Sequence, residues 1–201
     1  MIQHHPAPET LLAYSAGTLP AGRALVVMAH LQGCPHCQAE AATLDALGGA
    51  LLETLTPEPL APDAFARTLA QLDTPAPPAP RRQTPLPQPF GLTLPAALHG
   101  TRIGRWLWLG RGLRYSRVRL PWAPEANVML LRVAPNRRVI THSHGGAEFT
   151  QVLHGGFYDA TGHYEAGDLA EADEHLSHQP CAGPQGCICL AALEGGLRLP
   201  W

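Results

Sequence analysis

The chain contains no lysine: its 14 basic residues are all arginine, set against 16 acidic ones, for a formal charge of −2. Neutralising phosphates takes a marked cationic surplus, so this balance argues against nucleic acid as a direct partner. The missing lysine reads as codon usage in a GC-rich genome. Long apolar runs are also missing. Runs such as Ala24 to Ala29 and Val128 to Leu131 fall far short of the roughly 20 residues that cross a bilayer. The opening Met1-Ile2-Gln3-His4-His5-Pro6 has neither the charged nor the apolar region of a secretory signal. A cytoplasmic chain with no membrane contact and no exported precursor is expected. Cysteine is scarce and odd in number, at five, which points to metal ligands or reactive thiols rather than a disulfide framework. There is no internal repeat.

Proline, by contrast, is concentrated. Thr74 to Phe90 reads TPAPPAPRRQTPLPQPF, which removes backbone donors and favours an extended linker. Before it, Pro8 to Ala16, Pro20 to Leu31, Pro35 to Leu47 and Asp63 to Leu72 show helical spacing, with proline at or near three of the starts. Beyond it, Arg114 to Leu120, Asn127 to Ala134, Glu148 to Leu153 and Cys187 to Leu193 read as strands separated by turn residues. The chain is therefore expected to be an α + β two-domain protein. Residues 1–75 form a small helical bundle, 76–90 a linker, and 91–201 an all-β sandwich or barrel. At 201 residues, each half is small enough to gain from a bound metal.

His30, Cys34 and Cys37 stand as H-x3-C-x2-C across a predicted helix–helix corner. Such a corner lets three side chains converge, and thiolate with imidazole is the donor set of tetrahedral zinc sites. The fourth ligand is open among His4, His5 and His36, with His36 expected to turn outward. A redox C-x-x-C pair beside a helix-end histidine is the plainer alternative. This region resembles the zinc-binding anti-sigma domain over about residues 4 to 75. The likeness rests on His30-Leu31-Gln32-Gly33-Cys34-Pro35-His36-Cys37 and on His4-His5 followed by Leu11 to Leu19. That resemblance implies zinc, with His5 as the fourth ligand; spacing alone does not separate it from His4.

A second constellation follows the linker. His142, His144 and Glu148 stand as H-x-H-x3-E, completed after six intervening residues by Gly155. Residues two apart on a strand share a face, and Gly145-Gly146 allow a turn that returns Glu148 to the same point. The pattern resembles the first metal motif of the cupin superfamily, which implies a barrel holding zinc or another divalent metal on three His and one Glu. Asn136 stands where that family has glycine, a mild departure because Asn tolerates positive φ. The second cupin motif is less regular. Gly167-Asp168 matches its turn, Ala170 replaces its usual histidine, and His178 before Gln179-Pro180 is the expected fourth ligand, with His175 the fallback. His154 is expected at a strand end or facing solvent and His163 in a turn. A metal-free cupin using these groups as a hydrogen-bonded core is the alternative.

The arginines at 102, 105, 111, 114, 117 and 119, interleaved with Trp106, Trp108 and Tyr115, read as an outer sheet face or interdomain surface. Cys187 and Cys189 share one strand face, as oxidation reporters or as small buried hydrophobes. Taken together, the two motifs and the linker resemble the ChrR-type anti-sigma factors over nearly the whole chain, including Glu171 to Pro180 and Cys187 to Ala192. That family implies a cytoplasmic protein that sequesters an extracytoplasmic-function sigma factor and releases it under oxidative stress such as singlet oxygen. Its helical half would inhibit, its cupin half would serve the response, and no catalytic residue is implied. The alternative is a cupin dioxygenase or isomerase with a zinc-stabilised helical appendage.

Overall fold

Prolines and glycines set the limits of the first helices. In the computed structural model, which describes residues 1–72, 74 and 85–199, Pro8 opens α1 (Pro8–Ser15) and Pro35 opens α3 (Pro35–Glu53). In the first turn proline's missing N–H costs no hydrogen bond. Gly17, at φ 68, closes α1 in a Schellman turn: its N–H bonds the Tyr14 carbonyl at 3.0 Å, and that of Thr18 reaches Ala13 at 2.9 Å. Pro20 immediately precedes α2 (Ala21–Leu31). The third helix runs six residues beyond the expected Leu47, through Gly48-Gly49, because interior glycines weaken a helix by about 1 kcal/mol each without ending it. The last helix is α4 (Ala64–Leu72). Residues 75–84, which include most of the expected linker, lie outside the described residues.

Two short 3-10 turns, Pro89–Gly91 and Ala96–Leu98, lead into ten strands among the described residues. These are β1 (Arg102–Ile103), β2 (Leu107–Gly110), β3 (Leu113–Leu120), β4 (Ala123–Val133), β5 (Ser143–His144), β6 (Glu148–Tyr158), β7 (His163–Glu165), β8 (Leu169–Ala172), β9 (Cys181–Leu193) and β10 (Leu197–Arg198). Eight form one antiparallel sheet in the order β1-β3-β4-β9-β6-β7, with β2 on β3 and β8 on β6; β5 pairs with β10. The sheet curls around an interior of Val133, Val152, Phe157, Ala182, Cys187 and Cys189.

Strands β6 and β9 each run well past the glycines that read as breakers. The register shifts between Val152 and His154 and again between Gly155 and Phe157, so the glycines sit in bulges rather than turns. Gly155 has φ 67, and a Cβ there would collide with the Gly186 carbonyl. Asn136, in place of the related barrels' glycine, takes φ 55.

The helices do not stand apart from the barrel. Leu25, Val26 and Val27 of α2 are fully buried in one apolar cluster with Val118, Val128, Leu130, Phe149, Leu190 and Ala192 of the sheet. Burying such side chains stabilises by roughly 1.5–3 kcal/mol each. Gly22 lets α2 approach closely, since a Cβ there would lie 3.2 Å from Val128 and 3.5 Å from Ala192. Thus the outer face of the β4–β9–β6 sheet is also the inner face of the helical layer. That packing delivers the ends of α2 and α3 to the rim of the barrel.

Two candidate metal centres

The first centre forms where the chain passes from α2 to α3. His30 lies in the last turn of α2 and is fully buried; Cys34 is the residue before α3, and Cys37 sits in its first turn. His5 arrives from the extended segment before α1, with its Nδ1 3.3 Å from Cys34 Sγ and 3.2 Å from Cys37 Sγ. One donor atom from each of His5, His30, Cys34 and Cys37 lies within 4.8 Å of the others. The other two candidates lie outside this group. His4 turns away, its Nε2–H donating to the His163 carbonyl at 3.0 Å and its ring lying on Tyr164. His36 faces outward and pairs with Glu40 at 3.3 Å.

The hydrogen bonding suits a cation. His30 Nδ1–H donates to the Gly167 carbonyl at 2.9 Å, which leaves Nε2 buried without a partner. A buried lone pair with no donor is costly unless something electropositive meets it. Burial and the adjacent Cys34 push the Cys37 thiol up to about 12. Burial also lowers the His30 pKa, partly offset by the Gly167 bond. Two sulfurs and two imidazoles at this spacing could hold a metal ion in a closed set of four ligands.

The second centre lies inside the barrel. His142 and His178 face each other across a two-residue bridge, each N–H bonding the other's carbonyl at 3.0 Å. Their Nε2 atoms lie 3.2 Å apart. His144, on β5, brings its Nε2 to 3.2 Å from that of His178 and 2.9 Å from a Glu148 oxygen. Glu148 opens β6 after the Gly145-Gly146 turn, and its carboxylate is 3.8 Å from His178 Nε2. The four donor atoms all fall within 4.8 Å.

Outer partners fix two of the tautomers. His142 Nδ1–H donates to the Ile140 carbonyl and His178 Nδ1–H to Asp159, both at 2.8 Å, so both Nε2 lone pairs turn inward. Burial drives the His142 pKa down, with the Ile140 bond opposing it. Burial works to raise that of Glu148, but the His144 bond and three neighbouring imidazoles outweigh it and keep the carboxylate ionised. Two inward-facing lone pairs, a third imidazole and one carboxylate are a donor set that could hold a divalent ion.

Comparison with known proteins agrees with this layout. The family model described as the ChrR cupin-like domain matches residues 97–195. The anti-sigma-E factor ChrR of Cereibacter sphaeroides is 42% identical over 202 residues, covering 98% of this chain and 92% of that one. The chain belongs to the ChrR family. A chain in the crystal structure of Rhodobacter sphaeroides SigE in complex with the anti-sigma ChrR superposes with a TM-score of 0.78. It is 39% identical, and the match covers 96% of this chain and 100% of that one. The relative is named as an anti-sigma factor and not as an enzyme.

Within this ChrR-family fold the remaining histidine candidates lie outside both donor sets, whereas Cys187 and Cys189 share the cavity of the second centre. His175 is exposed beside Glu174, and His154 and His163 face solvent. Cys187 and Cys189 are buried on the cavity side of β9 with their sulfurs 3.1 Å apart. Arg114, Arg117 and Arg119 are exposed along β3, and Arg132, opposite Arg114, lies over the Phe90 ring. Above the second centre an apolar cavity of about 190 Å³ is lined by Met129, Leu131, Leu193 and Leu197 among others.

Asp159 escaped the sequence reading because no ligand motif contains it, and its Asx turn with Thr161 looks like any surface turn. Such outer partners are typically worth 10- to 100-fold in metal affinity. Asp159→Ala is therefore expected to weaken barrel metal binding by about that factor. Metal titration of the apo protein, with the first centre's occupancy as internal reference, checks it.

Proposed function

We propose that this chain is a cytoplasmic anti-sigma factor that sequesters an extracytoplasmic-function sigma factor and releases it under oxidative stress, with singlet oxygen as the expected signal. The observation that carries the reading is an apolar surface left open on the helical layer. No residue of α4 is buried, and Phe65, Leu69 and Leu72, at helical spacing on one face, are 75%, 46% and 75% exposed. Leu47, Leu51 and Leu52 of α3 are likewise exposed. Clusters of exposed apolar side chains along a helix are a feature of protein interaction sites. The solved relative's complex with a sigma factor supports the same class of partner here.

In this reading the helices, residues 1–75, are the inhibitory module, 76–90 the linker and 91–201 the sensory cupin. His5, His30, Cys34 and Cys37 hold a structural zinc that keeps α1 to α3 in binding geometry, as thiolate and imidazole donors favour. His142, His144, Glu148 and His178 hold zinc or another divalent ion in the barrel. A signal acting there releases the sigma factor only if it favours a barrel state in which the helical face binds less well.

Co-expression of the full chain with candidate sigma factors, followed by co-purification and metal analysis, tests the reading. Phe65→Asp and Leu69→Asp are each expected to weaken sigma binding by about 30-fold, the scale of one interface hot spot. Because both side chains are exposed, zinc content and helicity should stay at parent levels. Undiminished co-purification by the double variant would remove this surface from the interface.

A further inference from the structure

We propose that the barrel turn Gly167–Leu169 is a positioning element of the first metal centre, holding His30 and the segment that carries His5 in ligating geometry. The inference rests on the reading that this centre binds zinc. The residues before α1 have no secondary structure of their own, and terminal segments stay poorly ordered unless something ties them down. Here the cupin does so on both sides of His5. The Gln3 and His4 N–H groups donate to Asp168 Oδ1 at 2.7 and 3.1 Å, and Leu169 N–H donates to the His4 carbonyl at 3.1 Å. On the far side, Ala7 N–H donates to Glu171 Oε1 at 3.0 Å and the Thr10 hydroxyl to Glu171 Oε2 at 3.2 Å.

Asp168 is itself fixed from the barrel. It is only 2% exposed, and its Oδ2 accepts from Glu165 N–H at 2.9 Å. One carboxylate thus joins a barrel turn to the approach of a ligand histidine through charge-assisted bonds. The neighbouring Gly167 carbonyl supplies the bond that places the His30 proton on Nδ1 and frees Nε2. Gly167 also has little room to change: at φ 99, a Cβ would lie 2.7 Å from Ile2.

The same elements lead toward the second centre. Strand β8 pairs with β6 from Gln151↔Leu169 to Glu148↔Ala172, so its outer side carries the His5 segment while its inner neighbour carries a barrel ligand. The N-terminal segment covers what would otherwise be an open strand edge. A displacement of β8 against β6 therefore disturbs the shell of the first centre without any contact to its sulfurs.

The test uses full-length protein loaded with cobalt(II), whose thiolate-to-metal charge-transfer band reports a cysteine-ligated centre. The band's decay after addition of EDTA gives the rate of metal loss. Asp168→Ala is expected to speed the loss about 10-fold or more and to alter the ligand-field bands, the scale of outer-shell substitutions. Asp168→Asn keeps an acceptor for Gln3 and His4 but loses the Glu165 bond, so it should restore slow release. Gln3→Pro, which removes one donor and leaves the barrel sequence intact, should speed release. Parent-like decay in Asp168→Ala and Gln3→Pro would overturn the proposal, as would Asn behaving like Ala, because the effect would then belong to the folding of the turn. A parent protein that takes up metal with no thiolate band would overturn the zinc reading and this role with it.

Discussion

Replacing Cys34 and Cys37 together by serine is expected to abolish sigma binding and leave the first centre without zinc. The two sulfurs are half of its donors, and both residues are almost fully buried. Structural zinc contributes about 10–16 kcal/mol of apparent binding free energy in small modules, comparable to or larger than the 5–15 kcal/mol that holds a whole domain together. Nothing else in the helical layer offers that much. The third helix buries only Cys37 and Ala41, and α4 buries nothing. The α2 core should survive, because Leu25, Val26 and Val27 belong to the barrel's cluster. The expected product is therefore a folded cupin with a loosened α3, seen as retained barrel metal, reduced helicity and no co-purifying sigma factor.

The same chemistry sets a pH dependence. With the Cys37 thiol at about 12 in the metal-free chain, zinc must displace its proton at neutral pH, and occupancy should fall as pH is lowered because protons compete for the sulfur. Zinc content after dialysis at stepwise lower pH measures this. A metal-free double variant that still inhibits fully would refute the structural role.

Replacing His142 by alanine, or Glu148 by glutamine, should have the opposite pattern: sigma binding within about twofold of the parent, but loss of barrel metal and of stress-induced release. These side chains point into the cavity, whereas the helix-bearing face of the sheet is built from Val118, Val128, Leu130, Leu190 and Ala192. The inhibitory layer should remain docked. Removing a direct ligand should cost more than the 10- to 100-fold associated with outer-shell partners. His142→Ala leaves the Nε2 atoms of His144 and His178, 3.2 Å apart, and the Glu148 carboxylate. A variant that loses the metal yet releases its sigma factor normally would separate the barrel ion from sensing.

Much of this was legible in local sequence. The eight residues proposed as ligands could be picked out because metal sites demand particular donor types, and a helix corner or a two-residue strand period restricts their spacing. His5 was the partial exception: composition and spacing do not distinguish it from His4, the resemblance favoured it, and in the structure His4 is instead anchored on His163 and Tyr164. The far halves of β6 and β9 were missed for a related reason. Gly155 and Gly186 look like breakers singly, but they are one bulge once the two strands lie side by side. Asp159 carries no local signal, and Asp168 shows in the sequence only as part of a cupin-like turn, because their importance lies in what folds against them.

By itself, then, the sequence determined the two groups of potential metal donors, the change from helical to strand periodicity and the proline-rich interval between them. These are written in residue types and short spacings. Tertiary structure alone decided that α2 shares a core with the sheet, that His178 faces His142, and that a turn of the cupin braces the ligands of the helical centre. Each of those contacts joins residues 36 to 170 positions apart, where no periodicity reaches and only close packing and the pairing of buried polar groups choose the partner.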